Sequence, residues 1–559
     1  MALGQLRSVP MSTPGLREID QATRDQYYEQ GWWRTDRTFV DDFLARVAED
    51  PDRPALVSYP EGGGPPERHS YGELEALSRR FAGAFINLGI EPGDVVSMQL
   101  TNSWEFPALA IALLRVGAVV NPLVPIFRHR ELSFILGRTE SKALFVPREF
   151  RRFDHGELAV RLAGEIDSLE HVFVLGDPPT GARSFTEFAD RAWEDEPGLA
   201  EELKRRTPSP SDLAEIQFTS GTTGEPKGVL HDYNTIWSGG RSITDGLGLG
   251  PDDVCFMAST LAHQTGFLYG FIVPLSTGQK VVYQEVWDAQ QLVSIVDDEQ
   301  IAYTLSATPF VADMITAQLD QQKPLASFKY FICGGAAIPP KFVEESDEVL
   351  GAELVAVWGM TENAVVTHTR AGDAVEIVSD SDGQPVDWMQ VRVVDDQLNE
   401  LPVGEVGNLQ ITGPNQALGY FHRADLYEEV STPDGWFDTG DLARRREDGG
   451  IRIAGRSKDL VIRGGENVPV FEIESLLIRH PKVFEVAVVG YPDERLGERC
   501  AAIVAPQGDE APTLPELVAM LDAEGVAKQF WPERLEIVAE MPKTPSGKIQ
   551  KFHLRDQLG

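Results

Sequence analysis

Cysteine is scarce. Three occur in 559 residues (Cys255, Cys333, Cys500), far apart and without the short spacings of a metal site. That argues against a disulfide framework or a zinc centre and fits a reducing compartment. Positive charge is also short, with 50 Lys and Arg against 87 Asp and Glu and a formal net charge of −37. Nucleic acid is therefore not expected as a partner, because gripping a phosphate backbone takes a basic face. Long unbroken apolar runs are missing too. The most apolar stretch, FPALAIALLRVGAVVNPLVPIF from Phe106, is interrupted by Arg115, Asn121 and prolines. It reads as a buried helix leading into a strand, not as a membrane span. The opening MALGQLRSVPMSTPG lacks the apolar core of a secretory signal, so a cytoplasmic protein without integral membrane association is expected.

What remains is a globular composition, 42% apolar and 25% charged, in a chain too long for one ordinary domain. The acidic balance aids solubility and says little about fold. It does require that any anionic ligand be held by local cations or backbone N–H groups. Ser70 with Glu73 forms a capping box ahead of Leu74, Leu77, Phe81, Phe85 and Leu88 on one helical face, and Gly89 supplies the stop. Short β-branched or aromatic runs alternate with helical stretches from ALFV (Ala143) to AELVAVWG (Ala352). That alternation predicts an α/β fold with largely parallel, buried sheets. From about residue 383 closely spaced strands and turns predict a smaller β-rich unit, and the last hundred residues read as a separate α+β module, with a helix opened by Pro469.

The most informative stretch is FTSGTTGEPKG, Phe218 to Gly228. A buried strand runs into glycines and hydroxylated residues, which turn backbone N–H groups and hydroxyls toward a phosphate. It is not a Walker A loop, because Lys227 lies between Pro226 and Gly228 instead of in Gly-Lys-Ser/Thr. Five further motifs follow in order: GGAAIPP (Gly334–Pro340), WGMTEN (Trp358–Asn363), WFDTGD (Trp436–Asp441), GRSKDLVIRGGENV (Gly455–Val468) and PKTPSGKI (Pro542–Ile549).

Together these resemble the signature motifs of the adenylate-forming (AMP-binding) superfamily of acyl-CoA synthetases, luciferases and carrier-protein adenylation domains. The resemblance implies a large N-terminal domain of parallel-rich sheets with a β-rich subdomain, 1–457, and a small mobile α+β C-terminal domain, 458–559. It implies ATP, Mg2+ and coenzyme A as cofactor and co-substrates, and a small-molecule carboxylic acid as partner; assembly with copies of itself stays open. By the match, Thr219, Ser220, Gly221, Thr222, Thr223, Gly224 and Lys227 hold the β,γ-phosphates. Gly334, Gly335 and Ala336 form the adenine-side loop, and Trp358, Gly359 and Met360 lead from it to Thr361 on the α-phosphate and Glu362 as the magnesium ligand. Asp441 takes the ribose diol with Arg456 beside it, although Thr-Gly-Asp is also an ordinary turn composition. Trp358 stacks on adenine in this reading and is otherwise a plain core aromatic.

Lys548 is the residue that bridges the carboxylate and the α-phosphate in the resemblance. Lys458 marks the hinge, and Gly464 and Gly465 line a narrow thiol channel. His263, in LAHQTGF, matches a position beside the acyl and thiol channels, and as a lone His it is equally a satisfied core residue. Gly359 stands where acetate-specific relatives place a tryptophan, which suggests a pocket open to a larger acyl group. The LAHQTGFLYG and WGMTENAVVT phrases look most like ligases for short-to-medium fatty acids and cyclohexanecarboxylate, which points to fatty acid metabolism. Three alternatives stay open: a stand-alone enzyme loading a separate carrier protein, since the chain ends eleven residues after Lys548, a non-catalytic adenylate sensor, and a luciferase-type oxidation. Retention of Lys548 and Glu362 speaks against the sensor, which needs no transition-state charge stabiliser.

Overall fold

The computed structural model describes residues 16–219, 226–335, 338–456, 459, 461–463, 466–493, 495–508, 510–543 and 549–558. Of the sequence-derived site residues, Ser220, Gly221, Thr222, Thr223, Gly224, Ala336, Lys458, Gly464, Gly465 and Lys548 lie outside them.

Two large, mainly parallel sheets dominate the N-terminal three-quarters of the chain. In the first, eight strands run in spatial order Gly419–Tyr420, Lys227–Asp232, Leu213–Thr219, Val119–Pro122, Val95–Met98, Ala143–Pro147, His171–Leu175, Arg183–Ser184. The second has nine strands and centres on the parallel set Val254–Met257, Ile301–Ser306, Tyr330–Gly334 and Glu353–Met360. The helices Tyr71–Asn87, Glu105–Arg115 and Tyr233–Leu247 lie between the sheets and share one core with both, since Phe81, Leu113 and Ile236 join the cluster that holds Val96, Ala143, Ile332 and Val355. Further helices cover each outer face, so every central strand is buried on both sides. This is why those strands read as continuous apolar runs and not as alternating ones.

Local signals in the sequence translate directly. The first long helix begins at Tyr71 with Ser70 as its N-cap, and both halves of the capping box to Glu73 are formed. The apolar stretch from Phe106 is the buried helix Glu105–Arg115 followed by the strand Val119–Pro122. Among the described residues no helix is long and apolar enough to cross a membrane. All three cysteines are buried and unpaired. The β-rich unit is a four-stranded antiparallel sheet, Gln390–Val394, Val406–Thr412, Phe437–Arg445 and Ile451–Arg456. A separate C-terminal sheet carries the long hairpin Val483–Asp493 and Gly497–Pro506, with cores on its two faces. The helix after Pro469 runs Val470–Leu477 and buries Ile473 and Leu477.

Ser70 satisfies a backbone donor that the helix cannot satisfy itself, so Ser70→Ala should cost about 1 kcal/mol. A lowered thermal unfolding midpoint with activity unchanged is the expected result.

Candidate functional site

Parallel α/β sheets bind ligands at the carboxyl ends of their strands; Thr219, Gly334, Gly335, Met360 to Glu362 and His263 lie at or just beyond such ends, while Asp441 and Arg456 lie on the antiparallel sheet. Thr219 ends one strand and Lys227 begins its antiparallel neighbour. The two are directly opposed, closing the base of the glycine-rich loop. Lys227 places its ammonium 4.8 Å from the centre of the Tyr420 ring. The Tyr420 hydroxyl donates to Glu362 Oε1 at 2.7 Å. The Glu362 backbone carbonyl accepts from the N–H of Ala417 at 2.7 Å. Tyr420 thus couples the lysine that follows the glycine-rich loop to the Glu362 carboxylate, which is only 7% exposed. Burial, and then the neighbouring Glu362 carboxylate, push the Tyr420 phenol far above its ordinary pKa, so it acts as a donor. A carboxylate that accepts from Tyr420, with the Lys227 ammonium on the face of the same ring, is a donor set that fits a divalent cation carrying phosphate oxygens.

Thr361 and Glu362 occupy a tight turn between the strands Glu353–Met360 and Ala364–His368, closed by the Asn363 N–H donating to the Met360 carbonyl at 3.0 Å. Here one sequence-based inference needs correction. A side chain at Gly359 would place its Cβ 2.1 Å from the Ala364 carbonyl oxygen. Close backbone approach across this hairpin therefore accounts for the glycine, and it is no argument about the size of the acyl group. Gly335, with φ of +86°, likewise answers a backbone need at the end of the strand Tyr330–Gly334.

Trp358 is 8% exposed and belongs to the core cluster of the β-rich unit. Its indole N–H donates to Asp441 Oδ2 at 3.0 Å, while Arg456 Nε lies 3.1 Å from Asp441 Oδ1. Asp441 and Arg456 are opposed across adjacent strands, which sets that pairing. Both carboxylate oxygens thus already have a protein partner, and each keeps a lone pair for a further donor.

His263 is half-buried in the loop after the strand Val254–Met257. The Thr265 N–H donates to its Nδ1 at 3.3 Å, which leaves Nε2 to carry the proton in the neutral ring. Asn102 holds the same loop by accepting from the Leu261 N–H at 2.8 Å and donating to the Ser259 carbonyl at 2.9 Å. The loop leads into a π-helical turn, Gly266–Ile272, entirely buried.

Sequence reasoning missed a set of buried polar residues beneath this site: Glu215, Gln217, His231, Gln264 and Tyr420. The one available signal was polar residues interrupting apolar strands (AEIQF, GVLHD). His231 lies opposite Glu215 and is 1% exposed, and burial pulls its pKa down to about 4, so the ring is neutral. Glu215 is fully buried. With the Gln264 amide oriented to satisfy its neighbours, that nitrogen sits 3.1 Å from both Glu215 oxygens.

Comparison with known proteins agrees with this geometry. The model of the AMP-binding enzyme family matches residues 43–421, and that of the AMP-binding enzyme C-terminal domain matches 472–548. A medium-chain fatty-acid–CoA ligase of Escherichia coli (strain K12) is 32% identical over 97% of this chain and 94% of the ligase. The 2,3-dihydroxybenzoate-AMP ligase of Bacillus subtilis (strain 168) is 31% identical over 96% of each chain. The solved anthranilate CoA ligase AuaEII in complex with anthranoyl-AMP superposes with a TM-score of 0.82, at 25% identity, over 93% of this chain and 97% of that one.

Burial pushes the Glu215 carboxyl up to about 8 from 4.5, and the Gln264 hydrogen bond offsets this only in part. The folded state therefore keeps a proton that the unfolded chain releases. This stabilising contribution is whole below a pH of 4.5 and is lost as pH rises through about 8. Glu215→Gln cannot titrate, so its unfolding midpoint relative to wild type should climb between about pH 5 and pH 9. A difference independent of pH would show that this carboxyl does not titrate in that window.

Proposed function

The chain belongs to the AMP-binding enzyme family and is an adenylate-forming acid–thiol ligase, and on that premise we propose that it activates a mid-sized aliphatic or alicyclic carboxylic acid and passes the acyl group to coenzyme A. The observation that carries the reading is the convergence of Thr219, Lys227, Tyr420 and Glu362 at the mouth of the glycine-rich loop.

In the first half-reaction a substrate carboxylate oxygen attacks the α-phosphorus of ATP and the bond to pyrophosphate breaks. Both reactants are anions, so catalysis is positioning plus charge neutralisation. Lys227 and the loop residues 219–224 take the β,γ-phosphates, Thr361 the α-phosphate, and Asp441 with Arg456 the ribose. Glu362, aligned by Tyr420, is the ligand for magnesium, which supplies charge neutralisation on the phosphate oxygens when bound. Lys548 meets the negative charge that gathers between carboxylate and α-phosphate. In the second half-reaction the thiol attacks the acyl carbon and AMP leaves. His263 borders that channel. The division into 1–457 and 458–559, with Lys458 as pivot and Gly464 and Gly465 brought to the thiol, gives each half-reaction its own arrangement of the C-terminal unit.

The acid class rests on near full-length similarity to a ligase named for medium-chain fatty acids. Apolar pockets discriminate weakly, about 1–3 kcal/mol per methylene, so several acids should turn over. A second reading, in which a carrier protein supplies the thiol, is favoured by the likeness to aryl-acid enzymes such as the 2,3-dihydroxybenzoate-AMP ligase. Release of AMP and pyrophosphate across acids from acetate to palmitate, with cyclohexanecarboxylate, benzoate and salicylate included, separates the two. Turnover dependent on coenzyme A with a mid-sized apolar acid supports the proposal. Pyrophosphate exchange without such turnover, strongest with an aryl acid, transfers support to the carrier reading.

Lys548→Ala should reduce acyl-adenylate formation by about 100-fold or more while sparing thioester formation from supplied acyl adenylate to within about threefold. Equal loss in both half-reactions would contradict a lysine that serves adenylation alone.

A further inference from the structure

The hairpin that bears the glycine-rich loop also reaches both other parts of the site through buried side chains. Glu215 and His231 are directly opposed on its two antiparallel strands, so their side chains stand together on one face. Gln217, two residues along, shares that face with Glu215. All three are at most 2% exposed. Each ties down a loop from the second sheet. Gln217 Nε2 donates to the Ala262 carbonyl at 3.0 Å. Gln264 donates to the Glu215 carboxyl at 3.1 Å. Those two attachments fall on the residues immediately before and after His263. His231 Nε2 donates to the Thr361 carbonyl at 2.8 Å, and His231 Nδ1 lies 3.1 Å from Thr235 Oγ1. The Thr361 contact fixes the tautomer, because a carbonyl can only accept.

A purely structural seam would be easier to build from aliphatic side chains. Burying polar groups is costly unless each is paired, and here the Gln217 Oε1 atom is buried without a partner among the described residues. What a polar seam adds is a single alignment, because each hydrogen bond works over a narrow range of distance and angle. An apolar contact tolerates sliding. The loops so aligned are those carrying His263 and Thr361, and the strands aligning them end at Thr219 and Lys227.

We propose that Glu215, Gln217 and His231 are positioning residues that fix His263 and Thr361 in register with the phosphate loop. They touch no reactant and act through the backbone of the residues that do. The assignment of those reactant contacts rests on the adenylate-forming reading above. The seam has two arms with separable consequences: His231 governs the Thr361 turn and hence adenylation, whereas Glu215 and Gln217 govern the His263 loop and hence the acyl and thiol channels.

The test compares His231→Leu, His231→Gln, Glu215→Leu and Glu215→Gln in the full chain. A misplacement of about 1 Å costs on the order of 100-fold in rate. His231→Leu should therefore lower kcat for ATP–pyrophosphate exchange by about 10–100-fold, with KM for ATP and thioester formation from supplied acyl adenylate each within about threefold. Glu215→Leu should instead raise KM for the carboxylic acid by about tenfold and leave KM for ATP in place. The two glutamine variants, which keep a hydrogen-bonding atom near the same position, should recover most of each loss. Parallel loss in both half-reactions, no recovery by glutamine, or full activity of the leucine variants would overturn the proposal. Amide exchange of residues 359–364 without any substrate gives a readout independent of the reaction. It should rise in His231→Leu and return toward wild type in His231→Gln. Unchanged exchange overturns the proposal whatever the wild type catalyses, whereas a wild type inert toward every acid, with the exchange result as expected, would defeat only the functional reading.

Discussion

Two mainly parallel sheets share one layer of helices, and apolar packing in that layer fixes how one sheet sits against the other less sharply than directional hydrogen bonds do. The hydrogen bonds crossing from the hairpin Leu213–Thr219 and Lys227–Asp232 to the loops of the second sheet supply that constraint. Hydrophobic burial is roughly proportional to area and has little direction. It holds the layers together without choosing a register to a fraction of an ångström. The shared core of Phe81, Leu113, Ile236, Ile332 and Val355 therefore sets stability, while the polar crossings set geometry. The contacts that join this hairpin to the His263 loop and the Thr361 turn span the two sheets, so their geometry depends on those crossings.

How much of this was legible in the sequence follows from the range of the interactions involved. The helix at Tyr71–Asn87 is specified by contacts three and four residues apart, and its capping box could be read from Ser70 and Glu73 alone. The buried strands were legible because coverage on both faces leaves a continuous apolar run. The nature of the glycine-rich loop was legible because its composition reflects backbone chemistry. Glu215, Gln217 and His231 were not, because their partners lie 49, 45 and 130 residues away on another sheet. A polar residue in an apolar strand announces that a partner exists without saying where.

Gly359 shows the opposite error. Reading it as room for a substrate treated a side chain's absence as a property of the pocket. The absence belongs to the backbone, which passes Ala364 too closely for a Cβ. Trp358 and Asp441 teach a similar lesson from the other side. Each was assigned to a ligand separately, yet they bond to each other, so the two side chains form one preassembled pair. Preassembly matters because a group already held in place loses no freedom when the ligand arrives.

The electrostatics complete the argument for a seam made of these particular residues. An enzyme with a formal charge of −37 must still bring two anions together, and a unit charge about 7 Å from a reacting phosphate contributes roughly 2 kcal/mol at an effective dielectric constant near 20. An ionised carboxylate or imidazolium in the seam would therefore alter the field at the α-phosphate while also aligning the loops. Burial prevents this. It pushes Glu215 up to about 8 and draws His231 down to about 4, so near neutral pH both are predominantly uncharged. Charge beside the hairpin tip is left to Lys227 and Glu362, linked through Tyr420, and alignment is left to a layer that adds almost no field of its own. Separating the two tasks lets the same hairpin carry the phosphate loop at its tip and the positioning residues in its body.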